Sequence, residues 1–239
     1  MERKRVTIQG LNVDKIDFDK AVEYAAQTYG QVVTLNPEMI QNAVKNPGFA
    51  NIIQNAELVI PDGIGVELGL KILGQKVCRI AGIEFARKMV NVFAQSNRTI
   101  GFLGAKPEII EKAVENIKKE VPNANIVYVQ DGYFTDEEQI LNRLKEKQPQ
   151  LLLVALGSPK QEEFIYKAKE ILPQSLMIGV GGSFDVWSGV VQRAPEIYQK
   201  LGIEWLYRTV KEPKRFKRIF PTLPLFVLQV IKEKVCGSI

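Results

Sequence analysis

The chain has 239 residues, 46% hydrophobic and 25% charged, a balance suited to one large globular domain or a domain with an appendage. Its formal charge of +5 is unevenly placed: residues 198–239 carry nine Lys and Arg against three Asp and Glu, and residues 1–197 sum to −1. A tail so basic expects an anionic partner, while the absence of histidine excludes a Ser–His triad, an imidazole base and a His-ligated zinc.

The N-terminal MERKRVTIQG has charge but no apolar stretch behind it, so no signal peptide is expected. Short apolar runs then alternate with amphipathic stretches. RVTIQ, QVVTL, AELVI, RTIGFL, NIVYV, LLLVALG and SLMIGVGG read as strands apolar on both faces. DKAVEYAAQTY, PEMIQNAVKN, PEIIEKAVENIKKE and PKQEEFIYKAKEIL between them read as helices. That alternation predicts an α/β fold: a Rossmann-like, mainly parallel sheet with helices on both faces. It ends near Gly182, and the rest of the chain is helical in pattern. The expected division is an α/β catalytic body over 1–194 and a C-terminal helical, basic appendage over 195–239. Cys78 and Cys236 lie far apart without a CxxC pairing, which suits a reducing, cytoplasmic location. No run reaches the ~20 apolar residues of a spanning helix.

Ligands of open parallel sheets bind where strands end and helices begin. In VVTLNPEMI, Asn36 and Pro37 form a helix start, and Thr34 is a polar residue near the end of a buried strand. Its hydroxyl either bonds backbone or faces a ligand. In LVIPDGIGVELGL, Asp62 follows a strand and either caps the next helix or stands at a cleft mouth as a general base. In LGSPKQEEF, Ser158 and Gln161 fit a capping box with Pro159 at the first helical position, and the same helix start suits a phosphate. GFLGAKPEII is a fourth strand–Gly–helix junction, without a full GxGxxG. The single DxD pair, Asp17 and Asp19, reads better as a helix start than as a metal site. No metal or other cofactor is expected.

The ordered set TLNPE, IPDGIGV, LGSPKQE and GVGGSFDVWSGVVQRAPEIYQKLGIEWLYR with KEPKRFKR resembles the WecG/TagA/CpsF glycosyltransferase family, from Val33 to about Arg218. The resemblance implies a bacterial enzyme that adds a sugar from a UDP-sugar donor to a polyprenyl-diphosphate-linked acceptor at the cytoplasmic membrane face. Its TagA-like branch moves N-acetylmannosamine to GlcNAc-diphospho-undecaprenol in a β-1,4 linkage for wall teichoic acid. Other members transfer the uronic acid form or other hexoses. By the same resemblance Asp62 is the catalytic base, and Thr34 and Asn36 lie beside the donor and acceptor sugars. Gln161 and Arg79 contact the substrate, and Arg208, Arg215 and Arg218 close over the site. The sequence departs from the family pattern around Arg79, with Glu84 where Asp is common and Cys78 where Glu often stands.

An inverting transfer needs one carboxylate to take the acceptor proton, and the leaving diphosphate is an anion that arginines can neutralise. KEPKRFKR puts five cations in eight residues before the apolar stretch IFPTLPLFVLQVI, which Pro221 and Pro224 interrupt. That pattern suits peripheral attachment to an anionic membrane surface on the inner face of the cell membrane. An amphipathic helix packed on the body, or on a second copy in a homo-oligomer, also fits it. No nucleic-acid module is present. A Rossmann-type enzyme using a nucleotide cofactor is the remote alternative.

Overall fold

The computed structural model describes residues 3–195, 198, 207 and 213–237, with side chains of 213–221 outside the described set. Six strands form one sheet in the order β4-β3-β8-β7-β5-β6, every neighbouring pair parallel. They are β3 (Gly30–Leu35), β4 (Leu58–Pro61), β5 (Thr99–Gly104), β6 (Asn125–Gln130), β7 (Leu151–Ala155) and β8 (Leu176–Gly179). β3, β4, β7 and β8 are buried throughout, which is why they read as apolar on both faces rather than alternating.

Helices cover both faces. On one side α1 (Phe18–Ala26), α5 (Gly82–Gln95), α6 (Pro107–Glu120) and α9 (Ser183–Trp187) enclose a core built around Phe85, Phe93, Phe102 and Phe184. On the other, α2 (Pro37–Lys45), α3 (Pro47–Gln54) and α4 (Ile64–Ile72) cover the β3–β4 end. On that same side α8 (Lys160–Ala168) covers β7 and β8 and α7 (Glu137–Lys147) covers β6, the far edge of the sheet.

RVTIQ does not join this sheet. Its strand β1 (Arg5–Ile8) pairs antiparallel with β2 (Leu11–Asp14), a strand absent from the sequence expectation. The two-residue connection, Gln9 at φ 49° and Gly10 at φ 77°, has the positive φ at both positions that a tight hairpin needs. Asp14 explains where the hairpin sits. It is fully buried, pairs with Arg3 and Arg5 at 3.2 and 3.1 Å, and accepts from the Val59 amide of β4 at 2.8 Å. A buried carboxylate is tolerable only with such partners.

The C-terminal helix α10 (Pro213–Cys236) starts at Pro213 and runs unbroken past Pro221 and Pro224, against the expectation that these prolines interrupt it. Each proline removes one intrahelical N–H and withdraws a partner from the carbonyl four residues earlier. Burial of the next turns offsets that loss: Phe226 and Val230 are 1% and 0% exposed, packed with residues of α2 and α4. Polar contacts continue the seam, with Glu233 accepting from the Gln9 amide and Gln41 donating to Gln229. Leu225, Leu228, Ile231 and Val235 remain exposed on the helix. Among the described residues no helix is long and apolar enough to cross a membrane.

Candidate active site

Because every strand of the main sheet points the same way, all its C-terminal ends meet at one edge. Two groups of residues lie there.

The first is at β3 and β4, where Thr34 pairs with Ile60 and Leu35 with Pro61. Asp62 follows directly, its amide donating to the Leu35 carbonyl at 2.7 Å. Asp62 does not cap α4: the cap position is Gly63, at φ 84°, and no side chain bonds there. Instead Asp62 reaches sideways to α5, where its Oδ1 accepts from the Gly82 amide at 3.3 Å. Thr34, 8% exposed, donates through Oγ1 to the Gly179 carbonyl of β8 at 3.2 Å. Its polar character in a buried strand is thus explained by backbone bonding, and the oxygen keeps acceptor capacity.

Gly82 is where these two side chains converge. A Cβ at residue 82 would lie 2.9 Å from Thr34 Cγ2 and 3.3 Å from Asp62 Oδ2. Asn36 caps α2, its Oδ1 accepting from the Met39 amide at 3.1 Å, which leaves the Nδ2 donors uncommitted to the cap. Arg79 is half-buried beside Ile80, whose amide bonds the Pro61 carbonyl at 2.9 Å, so it stands next to the end of β4. The unusual Glu84, in the first turn of α5, pairs with Arg193 at 2.6 Å and ties the segment after α9 to this helix. Cys78 is exposed and free.

The second group surrounds an open cleft of 690 Å³ at the ends of β5, β7 and β8, where Ala105, Lys106, Tyr133, Ala155, Lys160, Gly181 and Asp185 lie. Backbone approaches closely here: Gly104 has φ 115°, and a Cβ on it would sit 2.4 Å from the Ala155 carbonyl oxygen. The start of α8 borders the cleft, but the expected capping box is absent. Pro159 occupies the cap position and no side chain caps the helix. Gln161 has turned inward instead. It is 4% exposed, its Oε1 accepts from the Gly181 amide at 3.0 Å, and its Nε2 donates to Glu162 Oε1 at 2.7 Å. Gln161 therefore touches the cleft through its wall rather than from within it.

Burial pushes the Glu162 carboxyl up to about 7, while hydrogen bonding from Gln161 and Ser158 works the other way. Asp17 is the cap of α1, accepting from the Lys20 amide at 2.9 Å, and that backbone bond holds its carboxyl below the usual range. Among the described residues no three metal-ligating side chains cluster. Arg208 lies outside the described residues, and Arg215 and Arg218 fall on α10 backbone whose side chains are outside them.

Sequence reasoning singled out Thr34, Asn36, Arg79 and Asp62, and these assemble at the β3–β4 end. It did not single out Gly82, Lys106, Tyr133, Glu162, Gly181 or Asp185. The available signals were the GFLGAKP junction and the GVGGSFD run, each a strand ending in glycine before a helix.

The sequence matches the Glycosyl transferase WecG/TagA/CpsF family over residues 6–238. The protein belongs to that family of glycosyltransferases. It is 35% identical over 204 residues to the N-acetylglucosaminyldiphosphoundecaprenol N-acetyl-beta-D-mannosaminyltransferase of Bacillus spizizenii (strain ATCC 23059 / NRRL B-14472 / W23), covering 85% of this chain and 79% of the relative. The enzyme of the same name from Bacillus subtilis (strain 168) is 35% identical over 213 residues, 88% of this chain and 83% of the relative.

Proposed function

We propose that this glycosyltransferase moves N-acetylmannosamine from UDP to GlcNAc-diphospho-undecaprenol, with inversion to a β-1,4 linkage, in building the linkage unit of wall teichoic acid. The observation that carries this reading is the 35% identity, over 85% and 88% of the chain, to two enzymes whose names state that acceptor and that sugar. The geometry is compatible with it. UDP takes the cleft at β5, β7 and β8, where close-approaching backbone, Lys106, Lys160 and the start of α8 suit a diphosphate. The sugar then extends toward Thr34 and Asp62 along the same sheet edge.

Asp62 takes the proton of the acceptor hydroxyl as that oxygen bonds to C1 of the donor sugar. The bond from C1 to the β-phosphate oxygen breaks, and UDP departs with the electron pair. Proton removal of this kind contributes roughly 10²–10⁴-fold. Holding the carboxylate on the Gly82 amide fixes its position before substrate arrives. Arg208, Arg215 and Arg218 neutralise the leaving diphosphate from the appendage, and the exposed apolar residues of α10 lie on the inner membrane face, whose anionic lipids the basic segment attracts.

A panel of UDP-sugars offered with a synthetic GlcNAc-diphosphate lipid tests the proposal. Transfer of N-acetylmannosamine at ten times or more the rate of any other sugar is expected. A preference for UDP-N-acetylmannosaminuronic acid or another UDP-hexose would move the protein to a different surface polysaccharide.

A further inference from the structure

Glu162 takes no part in the transfer itself, yet its surroundings are built for a role. It is 1% exposed, and its Oε2 is buried with no hydrogen-bond partner. An apolar residue of the same volume would avoid that desolvation, so packing alone does not account for a carboxyl here.

Its Oε1 accepts the 2.7 Å bond from Gln161 Nε2, and the Ser158 hydroxyl lies close enough to favour the charged carboxylate as well. That bond decides which way the Gln161 carboxamide faces. A carboxamide has a donor end and an acceptor end of nearly equal shape. With the donor end facing Glu162, the acceptor end meets the Gly181 amide at 3.0 Å. Reversed, two N–H groups would oppose each other at Gly181.

The backbone is shaped to admit this pair. A Cβ on Gly179 would lie 2.6 Å from Gln161 Nε2 and 3.1 Å from Glu162 Oε1, so only glycine leaves the space. Gly181 adopts φ 49° within a turn closed by the Ser183 amide on the Val180 carbonyl at 3.1 Å. Gln31 of β3 donates to the Glu162 carbonyl at 3.3 Å, fixing the first turn of α8 over the sheet. Gly181 lines the cleft, and the Gly179 carbonyl holds Thr34. One buried pair therefore meets both groups of site residues at the end of β8.

We propose that Glu162 is a positioning residue: by orienting the Gln161 carboxamide it fixes the Val180–Ser183 turn, and with it the wall of the donor cleft at Gly181. Its importance for donor binding rests on the function proposed above; its hold on the turn does not.

The test compares Glu162→Met, which keeps the side-chain length without an acceptor, and Glu162→Gln, which keeps an oxygen for Gln161 Nε2. Amide hydrogen exchange at Gly181, read by NMR on the ligand-free chain, reports the turn directly. Calorimetry with UDP and steady-state transfer report the cleft. In E162M, Gly181 exchange should quicken about ten-fold or more, UDP affinity should fall and donor KM rise by a similar factor, and kcat should change less. E162Q should recover most of each loss. The melting temperature of E162M should match or exceed that of the unaltered protein.

Folded E162M with unchanged Gly181 exchange overturns the proposal, as does a lowered melting temperature with unchanged donor KM. Should E162M not fold, Glu162→Leu, which also lacks an acceptor and leaves Gln161 in place, is read by the same Gly181 criterion. If the unaltered protein binds no UDP and transfers nothing, the proposed function fails, while Gly181 exchange still decides the role of Glu162.

Discussion

Thr34 and Asp62, from neighbouring parallel strands, close on Gly82 at the start of α5: the Thr34 methyl lies 2.9 Å and the Asp62 Oδ2 3.3 Å from where a Cβ on that glycine would stand. Thr34 is buried and branched at Cβ, so its methyl has little room to yield to a side chain at residue 82. Gly82→Ala should therefore lower stability by about 1–3 kcal/mol through overpacking. Transfer should fall about ten-fold or more in the fraction that remains folded, measured by active-site-normalised kcat. Wild-type kcat in G82A would detach this contact from the chemistry.

Asp62→Asn separates catalysis from capping. Since the carboxylate caps nothing on α4, the melting temperature and UDP affinity should stay close to those of the unaltered protein. Transfer should drop by two or more orders of magnitude. A lowered melting temperature with unchanged kcat would return Asp62 to a structural role.

The buried Glu162 carboxyl, held neutral to about pH 7, makes stability depend on pH. Its folded pKa lies above the unfolded value, so its protonated form favours the native state. That contribution is fully present below about pH 4.5 and is lost as pH rises toward 7. The shift corresponds to a contribution on the order of 3 kcal/mol. Denaturant titrations across this window should show stability declining with pH from this group, and E162Q should remove that part of the slope. An identical slope in E162Q would mean that the decline comes from other carboxyls.

Asp17 offers a check on metal. It is spent on the α1 cap and on Lys20 Nζ at 3.0 Å, so Asp17→Ala should leave kcat unchanged. EDTA should leave transfer largely intact in both proteins. Strict Mn²⁺ or Mg²⁺ dependence abolished by the substitution would restore the DxD pair as a metal site.

The appendage should prove both structural and functional. Removing the fully packed Phe226 ring, by Phe226→Ala, should cost about 3–5 kcal/mol. A chain ending at residue 194 should be destabilised and inactive, since the same cut removes Arg208, Arg215 and Arg218. Flotation with anionic vesicles should show salt-sensitive binding by the full chain, because attraction to surface charge is screened within ~10 Å. Arg208→Ala should lose transfer while still floating. Transfer retained in the truncated chain would leave the appendage a packing element alone.

Much of this protein was determined by the sequence alone, because the physics involved is local. Burial on both faces leaves QVVTL, LLLVA and LMIG without polar alternation, so a parallel covered sheet is implied by the strands themselves. Asn36–Pro37 announces the start of α2 for the same reason, since an N-cap satisfies amides only three residues away. The order of the motifs carried the family. What only the tertiary structure decided depends on contacts between distant residues. Asp62 followed by Gly63 looks like a cap, but its carboxylate instead accepts from the Gly82 amide, twenty residues on. Ser158 and Gln161 have capping-box spacing, yet Gln161 is drawn to Gly181 across the sheet edge. RVTIQ has strand character but leaves the sheet because buried Asp14 anchors its hairpin to Val59. The prolines of α10 look like breaks until Phe226 and Val230 find their places on α2 and α4. Hydrogen-bond partners and buried faces brought together across tens of residues leave no periodic trace in the chain, so they become legible only once it is folded.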